Sequence, residues 1–256
     1  MDMHIESAGE GSAVLFLHAG VADARMWRGQ MNLTGYRSVV FDQRGFGKTP
    51  WVPGSYADWR DAVSVLDVLG IERATVVGCS IGGGIALHLA LAAPERVDGL
   101  VLAGAAAGGW EPVEGWADDP LEDEAMAAAN PGDLERAIEL EAQIWLAGVG
   151  RELDEIDQSL VELFLDMDRI PASTEAERHS MVEPFGTTND RLDEIRAKTL
   201  VVIGEYDQTD LIKSAQYLAN RLSEQPAVVI DNAAHLPSLE QPEAFNAALL
   251  AFLNTL

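Results

Sequence analysis

Basic residues are scarce in this chain: 17 Lys and Arg stand against 42 Asp and Glu among 256 residues, a formal net charge of -25. So negative a surface repels a phosphate backbone or an anionic lipid surface, which excludes nucleic-acid and membrane partners. Cysteine is almost absent. The single Cys79 cannot form an internal disulfide, which fits a reducing compartment and a cytoplasmic location. Long hydrophobic runs are lacking too. Runs such as AVLFL and TLVVI have strand length, and the Ala-rich stretch at 85–93 is broken by His88 and closed by Pro94, so no membrane span is expected. The opening residues MDMHIESAGEGSA place Asp2 and Glu6 where an export signal carries positive charge, and none is expected. What remains is 48% apolar, far from the composition of a disordered acidic chain. A chain of this size suits one large α/β domain or two small ones.

Six short apolar runs recur at wide spacing, at 13–17, 38–42, 74–79, 99–103, 199–203 and 227–231. They are continuous rather than alternating, as strands covered on both faces should be. Helical patterns lie between them at 58–70, 81–93, 211–222 and 242–253, the last opened by Pro242. The alternation predicts an α/β fold with a mostly parallel, doubly wound sheet. Residues 111–190 interrupt the rhythm with helical periodicity and no convincing strand. They predict an inserted all-helical subdomain, with 1–107 and 191–256 forming the core and 108–190 the insertion. No internal repeat or low-complexity tract is evident.

The strongest local signal is Gly78-Cys79-Ser80-Ile81-Gly82, directly after the strand ATVVGC and directly before the helix IGGGIALHLALAAP. A sharp strand-to-helix turn of this kind puts a serine into strained backbone geometry at the top of a sheet, and small flanking residues let neighbouring chain approach. The pentapeptide alone is a weak signal in a chain with 23 glycines. Its bland reading is a Gly-rich turn or a phosphate loop. A serine nucleophile needs a base, and the base an orienting acid. Asp207 sits just beyond the strand TLVVIG, and His235 just beyond AVVIDNAA. Asp210 is the nearby rival acid. His4, His18, His88 and His179 are read as packing or surface residues, because His235 alone follows both the acid and the last core strand.

The chain resembles the α/β-hydrolase superfamily over essentially its whole length, through LFLHAGVADARMW, FDQRGFGKTP, VVGCSIGGG, VVIGEYDQTD and NAAHLPSLEQPEAF in that order. The resemblance implies that Ser80 is the nucleophile, Asp207 the triad acid and His235 the base. It implies an oxyanion hole from the N–H groups of Gly20 and Ile81, although Ala19 and Val21 depart from the family's His-Gly-x-Pro loop. His18 then braces that loop, and Asp42 and Arg44 are structural. Family members carry a β-hairpin ahead of the first motif, and residues 3–7 leave room for only one of its strands, so about seven strands are expected rather than eight.

The implied reaction is acyl transfer to water with no metal or cofactor, and a serine at the elbow sets aside the Asp-nucleophile dehalogenases and epoxide hydrolases. Enol-lactonases, cofactor-free haloperoxidase-like esterases and carbon–carbon bond hydrolases remain as alternatives within the family, and a ligand receptor on the same scaffold remains outside it. Residues 111–190 hold 22 Asp and Glu, four Arg and no Lys, so most of the chain's negative charge lies in the insertion. An anionic substrate passing under it would be repelled, which favours a small neutral ester or lactone. Trp110, Trp116, Trp145 and Phe164 either line its pocket or form the insertion's own core. A monomer or homodimer is expected.

Overall fold

The structure is a computed structural model that describes residues 3–52, 54, 56–117, 119–129, 133–179 and 187–256, with backbone only for 172–179. Each of the six apolar runs forms a strand, and a seventh precedes them. The strands are β1 (Ile5–Ala8), β2 (Ser12–Leu17), β3 (Tyr36–Phe41), β4 (Ala74–Cys79), β5 (Val97–Ala103), β6 (Lys198–Gly204) and β7 (Val228–Ile230). They form one seven-stranded sheet in the order β1-β3-β2-β4-β5-β6-β7. Only β1 runs antiparallel, pairing with β3 as the edge strand. The remaining pairs are parallel, which requires a crossover for each and places helices on both faces.

The helices are α1 (Asp58–Val68), α2 (Ile81–Ala92), α3 (Pro120–Ala129), α4 (Leu134–Ala142), α5 (Gln158–His179), α6 (Thr209–Leu222), α7 (Pro237–Glu240) and α8 (Pro242–Leu253). Strand side chains alternate between two core layers, as a period of two demands. Leu15, Leu17, Leu100, Leu102, Val201 and Ile203 face α1, α2 and α6. Val14, Phe16, Val101, Ala103, Leu200 and Val202 face α8, Trp27 and Leu239. Every strand of the centre is thus buried on both sides, which explains the unbroken apolar runs.

Between β5 and β6 the described residues form helices and turns and no strand. A small cluster of Ala125, Leu140 and Ile144 joins α3 to α4. Ala142, Leu146, Val161, Phe164 and Met167 instead enter the core layer of the sheet itself. The insertion is therefore rooted in the sheet's own core. Among the described residues no helix is long and apolar enough to cross a membrane.

Candidate active site

Ser80 occupies the single-residue turn between β4 and α2, with φ 55° and ψ -118°. A non-glycine residue in this region costs about 1–3 kcal/mol and persists only where surroundings impose it. Here they do: the Ser80 N–H donates to the Ala103 carbonyl at 2.9 Å, and the Ser80 carbonyl accepts from Gly83 N–H at 2.9 Å. Gly82 has no alternative, since a methyl group there would overlap the Leu17 carbonyl on the neighbouring strand. Ile81 opens α2, so its N–H is one of the helix's unpaired amide donors beside Ser80. Gly20 lies against the Ile81 side chain, and both residues line the same cavity as Ser80.

Asp207 follows β6 and His235 follows β7, and both are buried. His235 Nδ1 lies 3.0 and 3.1 Å from the two carboxylate oxygens of Asp207. Asp207 Oδ1 also accepts from the Gln208 N–H at 2.8 Å. A carboxylate on Nδ1 fixes the tautomer that leaves Nε2 as the proton acceptor. Gly104, at φ +53° after β5, sits under this pair, where a methyl group would come within 3.1 Å of both side chains. Asp210, the rival acid, is engaged elsewhere. It accepts from Ala117 N–H at 2.6 Å and pairs with Lys213 at 2.9 Å, and these contacts, the amide first, hold its carboxyl below the usual range.

The other histidines lie away from the dyad or outside the described side chains. His18 is buried, its Nδ1 2.8 Å from the Ala19 carbonyl and its Nε2 accepting from Gln43 N–H at 3.0 Å, so it braces the Gly20 loop. His88 pairs with Asp58 and His4 with Glu6, while the His179 side chain lies outside the described residues. Asp42 accepts from Ala24 and Lys48 N–H groups, and Arg44 binds Asp61 through two bonds of 2.5 and 2.7 Å. Both are structural contacts.

Ser80 and His235 open on a cavity of about 340 Å³. Of the four candidate aromatics, Trp145 alone lines it, its ring 4.7 Å from that of His235. The other three are corrections. Phe164 is sealed in the core shared with the sheet, and Trp110 packs against Trp116 and Tyr217, because the edge of the insertion there turns toward α6 rather than toward Ser80. Trp116 is half exposed beside it.

Sequence reasoning missed what else lines the wall: Glu122, Glu141 and Asp168 bring three carboxyl groups, and Met126 and Ile144 bring apolar surface. Burial, and then Asp119 and Asp123 nearby, push the Glu122 carboxyl up. No Lys or Arg is among the described lining residues. Also missed is the thiol of Cys79, which donates to the His235 carbonyl at 3.3 Å and whose pKa burial pushes well up. The motif position next to Ser80 is visible, but nothing in the chain order tells that it meets the His235 loop. Among the described residues no cluster of His, Cys, Asp and Glu is arranged to hold a metal.

The chain is similar to known proteins over nearly all of its length. The sequence pattern of the alpha/beta hydrolase fold matches residues 12–242. A putative carbamate hydrolase RutD of Azorhizobium caulinodans is 30% identical, with 98% of this chain and 94% of the relative covered. A 2-hydroxy-6-oxononadienedioate/2-hydroxy-6-oxononatrienedioate hydrolase of Comamonas testosteroni is 28% identical, with 98% and 91% covered. Among solved structures, Est816, described as an N-acyl homoserine lactone degrading enzyme, superposes with a TM-score of 0.77 at 29% identity, covering 98% of this chain and 96% of its own. With the match running from β2 through the elbow to the His235 loop, the chain belongs to the alpha/beta hydrolase fold family and is a hydrolase.

Proposed function

We propose that this hydrolase cleaves a small neutral carboxylic ester or lactone through an acyl-enzyme on Ser80, under a cap formed by residues 108–190. The observation that carries the reading is the convergence of a strained serine and a buried His–Asp pair on one cavity. His235 takes the Ser80 proton as the oxygen attacks the carbonyl carbon, and Asp207 stabilises the imidazolium that forms. The Gly20 and Ile81 amides receive the oxyanion, each donor worth about 2.7–4 kcal/mol of barrier. His235 then protonates the leaving alcohol oxygen. A water molecule, deprotonated by the same imidazole, releases the acid. None of these steps calls on a metal or cofactor.

The neutral substrate is supported by charge. Three carboxyl groups in the wall disfavour a substrate carboxylate. Arg136 is engaged with Glu124, Arg151 with Glu240 and Arg169 with Glu135, while the Arg178 side chain lies outside the described residues. The Comamonas testosteroni relative, by contrast, is named for a dioate. That likeness favours a second reading, carbon–carbon bond hydrolysis at the same serine. Cytoplasmic action belongs to the same proposal, on the lone buried cysteine.

Ser80→Ala is expected to abolish turnover of p-nitrophenyl acetate, and retained activity would sink the nucleophile assignment. A panel of neutral short esters, neutral lactones and anionic lactones tests the substrate class. A marked preference for the anionic members would overturn it.

A further inference from the structure

Of four successive carbonyl groups at the end of one helix, two meet the loops that carry Asp207 and His235 and two meet Arg151. After α4 the chain widens into a π-turn at Gln143–Ala147 and stops, leaving its last carbonyls without partners in the helix. The Ile144 carbonyl accepts from Gln208 Nε2 at 3.2 Å, beside Asp207. The Trp145 carbonyl accepts from the His235 N–H at 3.2 Å. Those of Leu146 and Ala147 accept from Arg151, through Nη2 at 3.0 Å and Nε at 2.7 Å.

The same guanidinium continues outward. Its Nη1 donates to the Asn232 carbonyl at 3.2 Å, its plane covers the Tyr206 ring at 4.6 Å, and Nη2 pairs with Glu240 Oε2 at 3.0 Å. Glu240 in turn accepts from the Ala234 N–H at 2.9 Å and from the Leu236 N–H at 3.3 Å, the residues on either side of His235. Both partners are largely withdrawn from water, with side chains 15% and 3% exposed. A buried ion pair is a poor route to stability, because apolar replacements of the same volume are often as stable or more so. Its placement around one histidine calls for another account.

We propose that Glu240 and Arg151 are positioning residues for His235: the carboxylate grips the loop on both sides of the base, and the guanidinium fastens that grip to the end of the insertion's helix. Neither touches substrate. The pair fixes where the imidazole sits relative to Ser80, so the insertion contributes to the rate as well as to the walls of the cavity. The inference rests on His235 being the base.

The experiment compares Glu240→Gln, Arg151→Lys and Arg151→Met with wild type on p-nitrophenyl acetate, with near-ultraviolet circular dichroism to establish that each is folded at the assay temperature. Ser80→Ala and His235→Ala serve as controls. The expected result is a fall in kcat with KM within about twofold. The fall should be about 10-fold for Glu240→Gln, which keeps an acceptor for the two amides, and about 100-fold for Arg151→Met, which strands the buried carboxyl. Arg151→Lys should recover part of the loss, and a variant combining Glu240→Gln with Arg151→Met should be no worse than Arg151→Met alone, as coupled partners are not additive. Folded Glu240→Gln and Arg151→Lys with wild-type kcat would overturn the proposal, as would losses that track only the folded fraction. If His235→Ala itself keeps full activity, the assignment of the base has failed. If His235→Ala is inactive while the Glu240 and Arg151 variants are normal, only the positioning role has.

Discussion

Ser80 is held by main chain, whereas His235 is held mostly by side chains. The elbow rests on the Ala103 carbonyl, the first turn of α2 and the packing of Gly82 against Leu17, all within three adjacent elements of the sheet's centre. The His235 loop stands at the sheet's edge beyond β7, a strand of only three residues. It is fixed by Asp207, by Trp145 and by the Arg151–Glu240 pair, whose partners are 89 residues apart. A serine on a strained turn can be made rigid by local sterics. A histidine on an edge loop cannot, and a second part of the molecule has to reach over and hold it.

The contrast can be broken at either end. His235→Ala should remove at least about 10,000-fold of kcat with KM little changed, the largest effect expected, measured on p-nitrophenyl acetate. Gly82→Ala attacks the other support. The added methyl group meets a backbone carbonyl with no room to move, so chemical denaturation should report a loss of more than about 3 kcal/mol.

Glu240 offers a sharper probe. Burial pushes its carboxyl up from its ordinary 4.5 to about 7, although Arg151 and the amides of Ala234 and Leu236 pull the other way. The other titratable group beside it, the Cys79 thiol, stays neutral. A carboxyl that binds its proton more tightly when folded adds stability fully below about pH 4.5 and loses it as pH rises through about 7. Wild type should therefore lose up to about 3 kcal/mol from this group across that window. Glu240→Gln should flatten that part of the curve in urea titrations at stepped pH, and an unchanged slope would refute the assignment. The smallest effect belongs to an exposed link between the insertion and the segment after β2, Arg25 to Asp166 at 2.6 Å. Asp166→Asn should cost less than about 1 kcal/mol and leave kcat unaltered.

Much of this was legible beforehand. The apolar runs marked six strands, and the helical periods at 81–93 and 242–253 end within a residue of α2 and α8. The sequence order Ser80, Asp207, His235 anticipates the His–Asp contact found in the structure. Less legible was the fate of the aromatics. Trp110, Trp116, Trp145 and Phe164 look alike as apolar residues among charges, yet one meets the cavity, one is sealed in the sheet's core and two pack together by α6. The insertion reads in sequence as a separate helical unit, whereas Phe164 and Met167 belong to the core of the sheet. Periodicity tells that a face is buried and is silent about what buries it.

What the amino-acid sequence determined by itself is short-range: strand and helix content, the elbow around Ser80, and a negative charge concentrated between β5 and β6. These follow from steric rules and spacings that act over a few residues. Tertiary structure decided which acid serves His235, since Asp207 and Asp210 differ by three positions and only the first points at the imidazole. It also decided that Glu122, Glu141 and Asp168 share one wall, and that Arg151 reaches Glu240 across 89 residues. Contacts of that range depend on how the helical insertion packs over the sheet, and a linear pattern carries no record of that packing.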